Sequence, residues 1–244
     1  MRTLLISDIH ANFIALEAVL AAAEGEWDQV WFLGDLIGYG PQPNECVERL
    51  RVLAPTVALS GNHDWAVLGK LDTDDFNSDA RQAVNWTRRK LTGENRNWLA
   101  ELPPLRVEAP FTLAHASPRH PVWEYILDLP TALENFAHFE TRLCLVGHSH
   151  VQMAFVLDEE AGELDYFLLN HEDVIDLSRH RLILNPGSVG QPRDGDPRAA
   201  FALLDDEALI AEFRRVEYDI AATQALMRGF NAPKRLIKRL EQGM

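Results

Sequence analysis

The stretch ALSGNHDWAV, Ala58–Val67, decides how this chain is read. Its first residues continue the apolar run Thr56–Leu59, which has the length and composition of a short buried strand. The run breaks at Ser60-Gly61, and an amide, an imidazole and a carboxylate follow at once as Asn62, His63 and Asp64. A core strand that ends on three polar groups of such different character makes chemical sense only if other strands bring partners to the same rim.

The surrounding text supplies such strands. TLLIS (3–7) and QVWFL (29–33) are apolar runs that alternate with NFIALEAVLAAAE and NECVERLRVLA, where apolar residues recur at helical spacing. This βαβαβ rhythm predicts a parallel or mixed sheet with flanking helices. A polar middle, Asp72–Leu102, reads as helices and loops outside the sheet, with Trp86 and Trp98 packing onto the core. From Leu105 the text turns strand-rich (LRVEA, FTLAHA, RLCLVG, VQMAFVL, LDYFLLN, RLILN, AAFALL, IAEFRRV), with tight turns such as EEAGEL. A helix, DIAATQALMRGF, and a basic amphipathic segment, APKRLIKRLEQ, close the chain; the latter reads as a surface helix with its cations outward. No repeat or linker interrupts this order. The expectation is one α/β domain over 1–244, two sheets face to face with helices outside, and a helical tail over about 218–244.

Composition narrows the function. With 244 residues, 47% hydrophobic and 25% charged, the chain has the make-up of a soluble globular protein with a sizeable core. A net charge of −14, from 37 acidic and 23 basic residues, repels polyanions at long range. That argues against a non-specific grip on nucleic acid or on an anionic membrane. Cys46 and Cys144 make no disulfide framework and read as small buried hydrophobes. The opening MRTLLISDIH has too short an apolar run for a secretion signal, and no run approaches the roughly 20 residues that cross a bilayer. A cytoplasmic location is expected.

Five of the nine histidines fall beside strand ends in polar clusters: SDIHAN (Asp8, His10), LGDLIGYG (Asp35), SGNHD (Asn62, His63, Asp64), LAHASP (His115) and VGHSHV (His148, His150). Each cluster repeats the order apolar run, small residue, metal-capable side chain, and strand ends are where side chains of several strands converge. Asp8 and His10, like His148 and His150, are separated by one residue, so in extended chain each pair points to one side. Ser7, Gly34, Gly61 and Gly147 are small enough to let backbone pass close by. Carboxylate, amide and imidazole without thiolate suit borderline divalent ions: manganese first, then iron, zinc, cobalt or nickel. Seven candidate ligands exceed one tetrahedral site and suit two ions, about 3.5–4 Å apart, sharing a carboxylate for in-line attack at phosphorus.

The ordered series D-x-H, G-D, G-N-H-D, H, G-H-x-H resembles the calcineurin-like metallophosphoesterase family from Thr3 to about Val216. GDLIGYGPQPNE, HASPRHPVWEY and NPGSVGQPRDGDPRA are similar to its small bacterial and archaeal phosphodiesterase-like branch. The resemblance implies a four-layer α/β/β/α sandwich of two mixed sheets. Asp8, His10 and His150 would hold one metal, Asn62, His115 and His148 the other, and Asp35 would bridge. His63 would face the substrate, with Asp64 hydrogen-bonded behind it to orient it. Ala11, Ala116 and Ser149 stand where the family often has glycine, glycine and threonine, which touches loop detail and removes no ligand.

Against these readings stand simpler ones. Asp64 is a good helix cap. NPGSVGQPR, Asn185–Arg193, lacks the Lys-Ser/Thr of a P-loop and reads as a turn, with Arg193 a candidate clamp for phosphate oxygens. Arg119 and His120, just after His115, are further candidate substrate contacts. The function expected is metal-dependent hydrolysis of a small organic phosphodiester. The alternatives are a phosphoprotein or phosphomonoester phosphatase and, since some relatives have become scaffolds, a non-catalytic scaffold. Selectivity is expected in the loops Ile37–Asn44, Trp65–Arg81 and Pro118–Leu129. The partner expected is a small phosphoester, without stable nucleic-acid or membrane binding, and the oligomeric state is open.

Overall fold

A computed structural model describes residues 1–244. In its first half β1 (Arg2–Ile6), β2 (Gln29–Phe32) and β3 (Val57–Ala58) alternate with α1 (Phe13–Ala22) and α2 (Pro43–Leu53). The helices α3 (Asn62–Leu68), α4 (Ser78–Lys90) and α5 (Gly93–Ala100) fill the polar middle. Then come β4 (Leu105–Glu108), β5 (Phe111–Ala114), α6 (Leu129–Phe136), β6 (Leu143–Leu145), β7 (Gln152–Asp158) and β8 (Glu163–Leu168). The chain finishes with β9 (Val174–Asp176), β10 (Arg181–Pro186), β11 (Ala199–Asp205), β12 (Ile210–Val216), α7 (Ile220–Gly229) and α8 (Lys234–Gln242).

The strands form two mixed six-stranded sheets, ordered β3-β2-β1-β11-β12-β9 and β4-β5-β6-β10-β7-β8. In the first, β1, β2 and β3 run parallel and β11 pairs antiparallel to β1. In the second, β5, β6 and β10 run parallel and β7 is antiparallel to β10.

The sandwich follows from the two-residue period of a strand. Leu4 and Ile6 point outward to the core that α1, α2 and α7 cover, whereas Leu5 between them points inward to the second sheet. Phe201 and Leu203 repeat the outward face, and Ala202 and Leu204 the inward one. In the second sheet Leu182 and Leu184 face inward, while Ile183 meets Phe136 of α6. The layers are therefore helices, sheet, sheet, helix. Trp86 stacks on Phe230 with ring centroids 3.8 Å apart, Trp98 packs on the outer core, and both cysteines are buried and free. Sequence periodicity does not single out β9 or α6, because three residues, or about two helical turns, are too short to establish a period.

All four chain segments Ser7–Asn12, Leu33–Leu36, Ser60–Asp64 and Gly147–His150 leave strands β1, β2, β3 and β6 on the same rim, and His115 follows β5 there. No helix is long and apolar enough to cross a membrane.

Candidate metal centre

The D-x-H and H-x-H pairs do not sit in extended chain, contrary to the sequence-based expectation. Asp8, His10, Asp35, His148 and His150 have φ of 53°, 49°, 56°, 63° and 62°. Left-handed backbone costs an L-residue roughly 1–2 kcal/mol and persists only where the surroundings over-determine it. Here they do. Asp8 N–H donates to Gly34 O (3.0 Å), His10 N–H to Asp35 O (3.0 Å) and Ala11 N–H to Leu36 O (2.9 Å). From the other side the Asn185–Arg193 turn clamps the same loop: Ser188 Oγ and Gly190 N–H both donate to Asp8 O, at 2.7 and 3.0 Å, and Asn12 Nδ2 donates to Gly190 O at 3.0 Å. The segment read as a plain turn is thus the brace of the first ligand loop.

The side chains so placed fall into three groups: Asp8, His10 and His150; Asp35, His115 and His148; and, between them, His10, Asp35 and His63. Within each, the candidate donor atoms lie within 4.8 Å of one another. His150 Nε2 is 3.2 Å from Asp8 Oδ1, and Asp35 Oδ2 is 3.6 Å from His10 Nε2 and 3.5 Å from His115 Nε2. Asn62 Oδ1 is 3.3 Å from His115 Nε2 and joins the second group.

Four of the five rings are fixed by backbone carbonyls. Nδ1–H of His10, His115 and His150 donates to Ile37 O, Leu33 O and Gln191 O at 3.3, 2.9 and 2.5 Å. Each leaves an Nε2 lone pair facing the cluster. His148 uses Nε2–H on Trp123 O at 3.2 Å, which leaves Nδ1 free.

The GNHD stretch turns into helix at once. Gly61 is the N-cap and Asn62–Asp64 form the first turn of α3. Asp64 does not bond the His63 ring, a correction to the role expected of it. Its carboxylate accepts from the N–H groups of Gly61 (2.9 Å), Ile37 (3.1 Å) and Leu36 (3.3 Å), so it caps α3 and ties that helix to the Asp35 loop. A carboxylate three residues past the cap reaches free backbone donors more readily than a neighbouring side chain that points away. Asp35 Oδ1 accepts from His63 N–H at 2.9 Å in the same turn. A Cβ on Gly61 would stand 2.6 Å from Asp35 Cγ and 2.7 Å from Asp35 N. Gly61→Ala is therefore expected to destabilise the protein by about 2 kcal/mol or more and to lower its metal content. Urea unfolding and elemental analysis check both.

The electrostatics suit a divalent ion. Burial, then the charges of Asp64 and Asp8, pushes the Asp35 carboxyl well above the usual carboxylate range. Burial likewise pushes all five imidazoles down, toward the neutral form that binds metal. Asp8 Oδ1 and Asp35 Oδ2 are buried without hydrogen-bond partners, and the Nε2 atoms of His10 and His150 face each other at 3.0 Å. Orphaned carboxylate oxygens and opposed ring nitrogens are costly alone and are satisfied together by cations between them. The donor set fits the two-metal arrangement.

Residues 1–208 match the calcineurin-like phosphoesterase superfamily domain. The chain belongs to this family. It is 50% identical to a metallophosphoesterase from Sphaerobacter thermophilus whose crystal structure superposes with a TM-score of 0.92, over 100% of this chain and 99% of that one. It is 40% identical over 222 residues to a protein of Methanocaldococcus jannaschii, covering 88% of this chain and 87% of the relative. A symmetrical bis(5'-nucleosyl)-tetraphosphatase of Klebsiella pneumoniae is 30% identical over 190 residues, 76% of this chain and 63% of that enzyme, so the chain spans less than two thirds of its length. The chain is thus a metal-dependent phosphoesterase.

Around the centre of this phosphoesterase each loop expected to set selectivity contributes aromatic rings. Tyr39 lies 4.4 Å from the His63 ring, Phe76 5.1 Å from it, Trp123 5.1 Å from Phe76, and Tyr125 stacks 3.9 Å from His148. No spacing rule marks these four in the sequence; their one signal is membership of loops that follow ligand-bearing strands. Of the three candidate substrate residues, Arg193 borders the centre, its guanidinium 5.8 Å over the Tyr39 ring. Arg119 is not available, again a correction: it is ion-paired with Glu124 and Glu134 and braces its own loop. Burial pushes the Glu124 carboxyl up, but bonds from Arg119, Asn135 and Ser117 outweigh it and hold it at about 2. His120 is exposed and belongs to none of the three groups.

Proposed function

We propose that this phosphoesterase cleaves phosphodiesters of small organic molecules, with His63 serving the leaving oxygen. One observation carries the assignment of His63. Unlike the other four rings of the cluster, it has no carbonyl partner, and its buried Nδ1 has no hydrogen bond at all. A ring not spent on holding a ligand orientation is free to donate to substrate.

In this reading Asp8, His10 and His150 hold one divalent ion, Asn62, His115 and His148 the other, and Asp35 serves both, with manganese the first candidate. Ions bound there would supply Lewis acidity, lowering the pKa of water and offsetting the charge of phosphoryl oxygens. The protein's own part is positional. The braced left-handed loops fix the donors before substrate arrives, so no reorganisation accompanies the reaction. The aromatic rim of Tyr39, Phe76, Trp123 and Tyr125 takes the organic groups and excludes water. Water adds to phosphorus in line and releases a proton to solvent, the ester P–O bond breaks, and the leaving oxygen takes a hydrogen bond or proton from His63, which solvent then reprotonates.

The aromatic rim favours a diester, which carries an organic group on each side. Rates on bis(4-nitrophenyl) phosphate and 4-nitrophenyl phosphate, at saturating manganese, test this. The diester is expected to have the higher kcat/KM, by roughly tenfold or more. A reversed ratio, or turnover of phosphoserine peptides instead, would establish the monoester or phosphoprotein reading.

A further inference from the structure

The net charge is −14, yet a cavity of about 500 Å³ is walled by Arg193, Lys234, Arg235, Lys238 and Arg239 together with Gln242 and Met244, with no aspartate or glutamate side chain among its walls. Helix α8 supplies four of the five cations. Its Leu236 and Leu240 are buried against the core, which turns Lys234, Arg235 and Lys238 outward. Like charges one turn apart, as in Lys234/Lys238 and Arg235/Arg239, work against a helix. Elsewhere on the chain, Arg198, Arg214 and Arg215 each sit against a carboxylate. Around this cavity no arginine meets an aspartate or glutamate: Arg239 Nε donates to Met244 O at 2.7 Å, Arg193 Nη2 donates to Gln191 Oε1 at 3.0 Å, and Arg193 Nε is buried without a partner. Burial pulls the Arg239 guanidinium below its usual range, and the charges of Arg193 and Arg235 act in the same direction.

The cavity also borders the metal centre. Arg193 N–H donates to His150 O at 3.2 Å, and its guanidinium lies over Tyr39, whose ring is 4.8 Å from that of His10. One residue thus belongs to both the cavity wall and the edge of the centre.

We propose that this cavity is a second anion subsite, which holds the distal phosphates of a substrate bearing a phosphate chain while another phosphorus of the same molecule is attacked at the metal centre. The proposal rests on the phosphoester hydrolase reading of that centre. Guanidinium groups clamp pairs of phosphate oxygens and ammonium groups add point charge, so the subsite selects for several phosphates in one ligand. Substrates with one phosphate leave the cluster unpaired.

The test uses the full chain loaded with manganese, free manganese kept in excess, and inorganic tripolyphosphate and orthophosphate as probes in calorimetric titrations. Tripolyphosphate is expected to bind at least about tenfold tighter than orthophosphate, a preference that weakens with added salt. In the double variant Arg235→Ser/Lys238→Ser the preference is expected to shrink to about threefold or less, since two of the five cations are gone. Arg89→Ser/Lys90→Ser, on exposed residues of α4, serves as the charge-matched control and keeps the parental ratio. An equal preference in the parent and in Arg235→Ser/Lys238→Ser would overturn the subsite, as would an oligonucleotide binding more tightly than tripolyphosphate. Hydrolysis of bis(4-nitrophenyl) phosphate in the same preparation separates the two readings: retained hydrolysis without the preference sinks the subsite alone, and a preference without hydrolysis sinks the reading beneath it.

Discussion

Asp35→Ala is expected to lose most bound divalent metal and, with it, metal-dependent diester hydrolysis. Asp35 sits where the two ligand groups meet: its Oδ2 is 3.6 Å from the His10 donor of one and 3.5 Å from the His115 donor of the other. Alanine removes that shared oxygen and leaves each group a neutral or singly charged remnant. It also removes the acceptor for His63 N–H, loosening the first turn of α3 that carries Asn62. Elemental analysis should fall from about two ions per chain to below one, and turnover by about 10³-fold or more, in line with loss of a major charge-stabilising element. Asp35→Asn keeps the acceptor for His63 and loses the charge, so equal metal loss in both variants assigns the effect to charge. Parental metal content in either would remove Asp35 from the centre.

His63→Ala should do the opposite: both ions stay and turnover falls by about 10²–10⁴-fold. No other ring depends on His63 for its orientation, since His10, His115, His148 and His150 are each held by a carbonyl. The loss should also depend on the leaving group, being larger for an alkoxide than for 4-nitrophenolate, which needs less help to depart. A general collapse of the site would not show that dependence. Parental turnover in the variant would end the role assigned to His63.

Much of the fold was legible along the chain. The alternation of Leu4, Leu5 and Ile6, and of Phe201, Ala202 and Leu203, requires two apolar faces on each strand and so a sheet covered on both sides. The candidate donors were legible too, because chemistry restricts them: carboxylate, amide and imidazole at strand ends are few enough to be counted. The short elements β9 and α6 escaped, having no room for a period.

What the three-dimensional arrangement alone decided is how those donors are aimed. The carbonyls of Leu33, Ile37, Trp123 and Gln191 set the ring orientations, and every residue carries a carbonyl, so nothing in the text marks these four. The same holds for Asp64, which caps α3 instead of orienting His63, and for Arg119, which is taken by Glu124 and Glu134. The sequence determined which groups are present because side-chain chemistry is written residue by residue. Their partners lie in distant segments, and only folding brings those within the 3 Å or so at which a hydrogen bond forms.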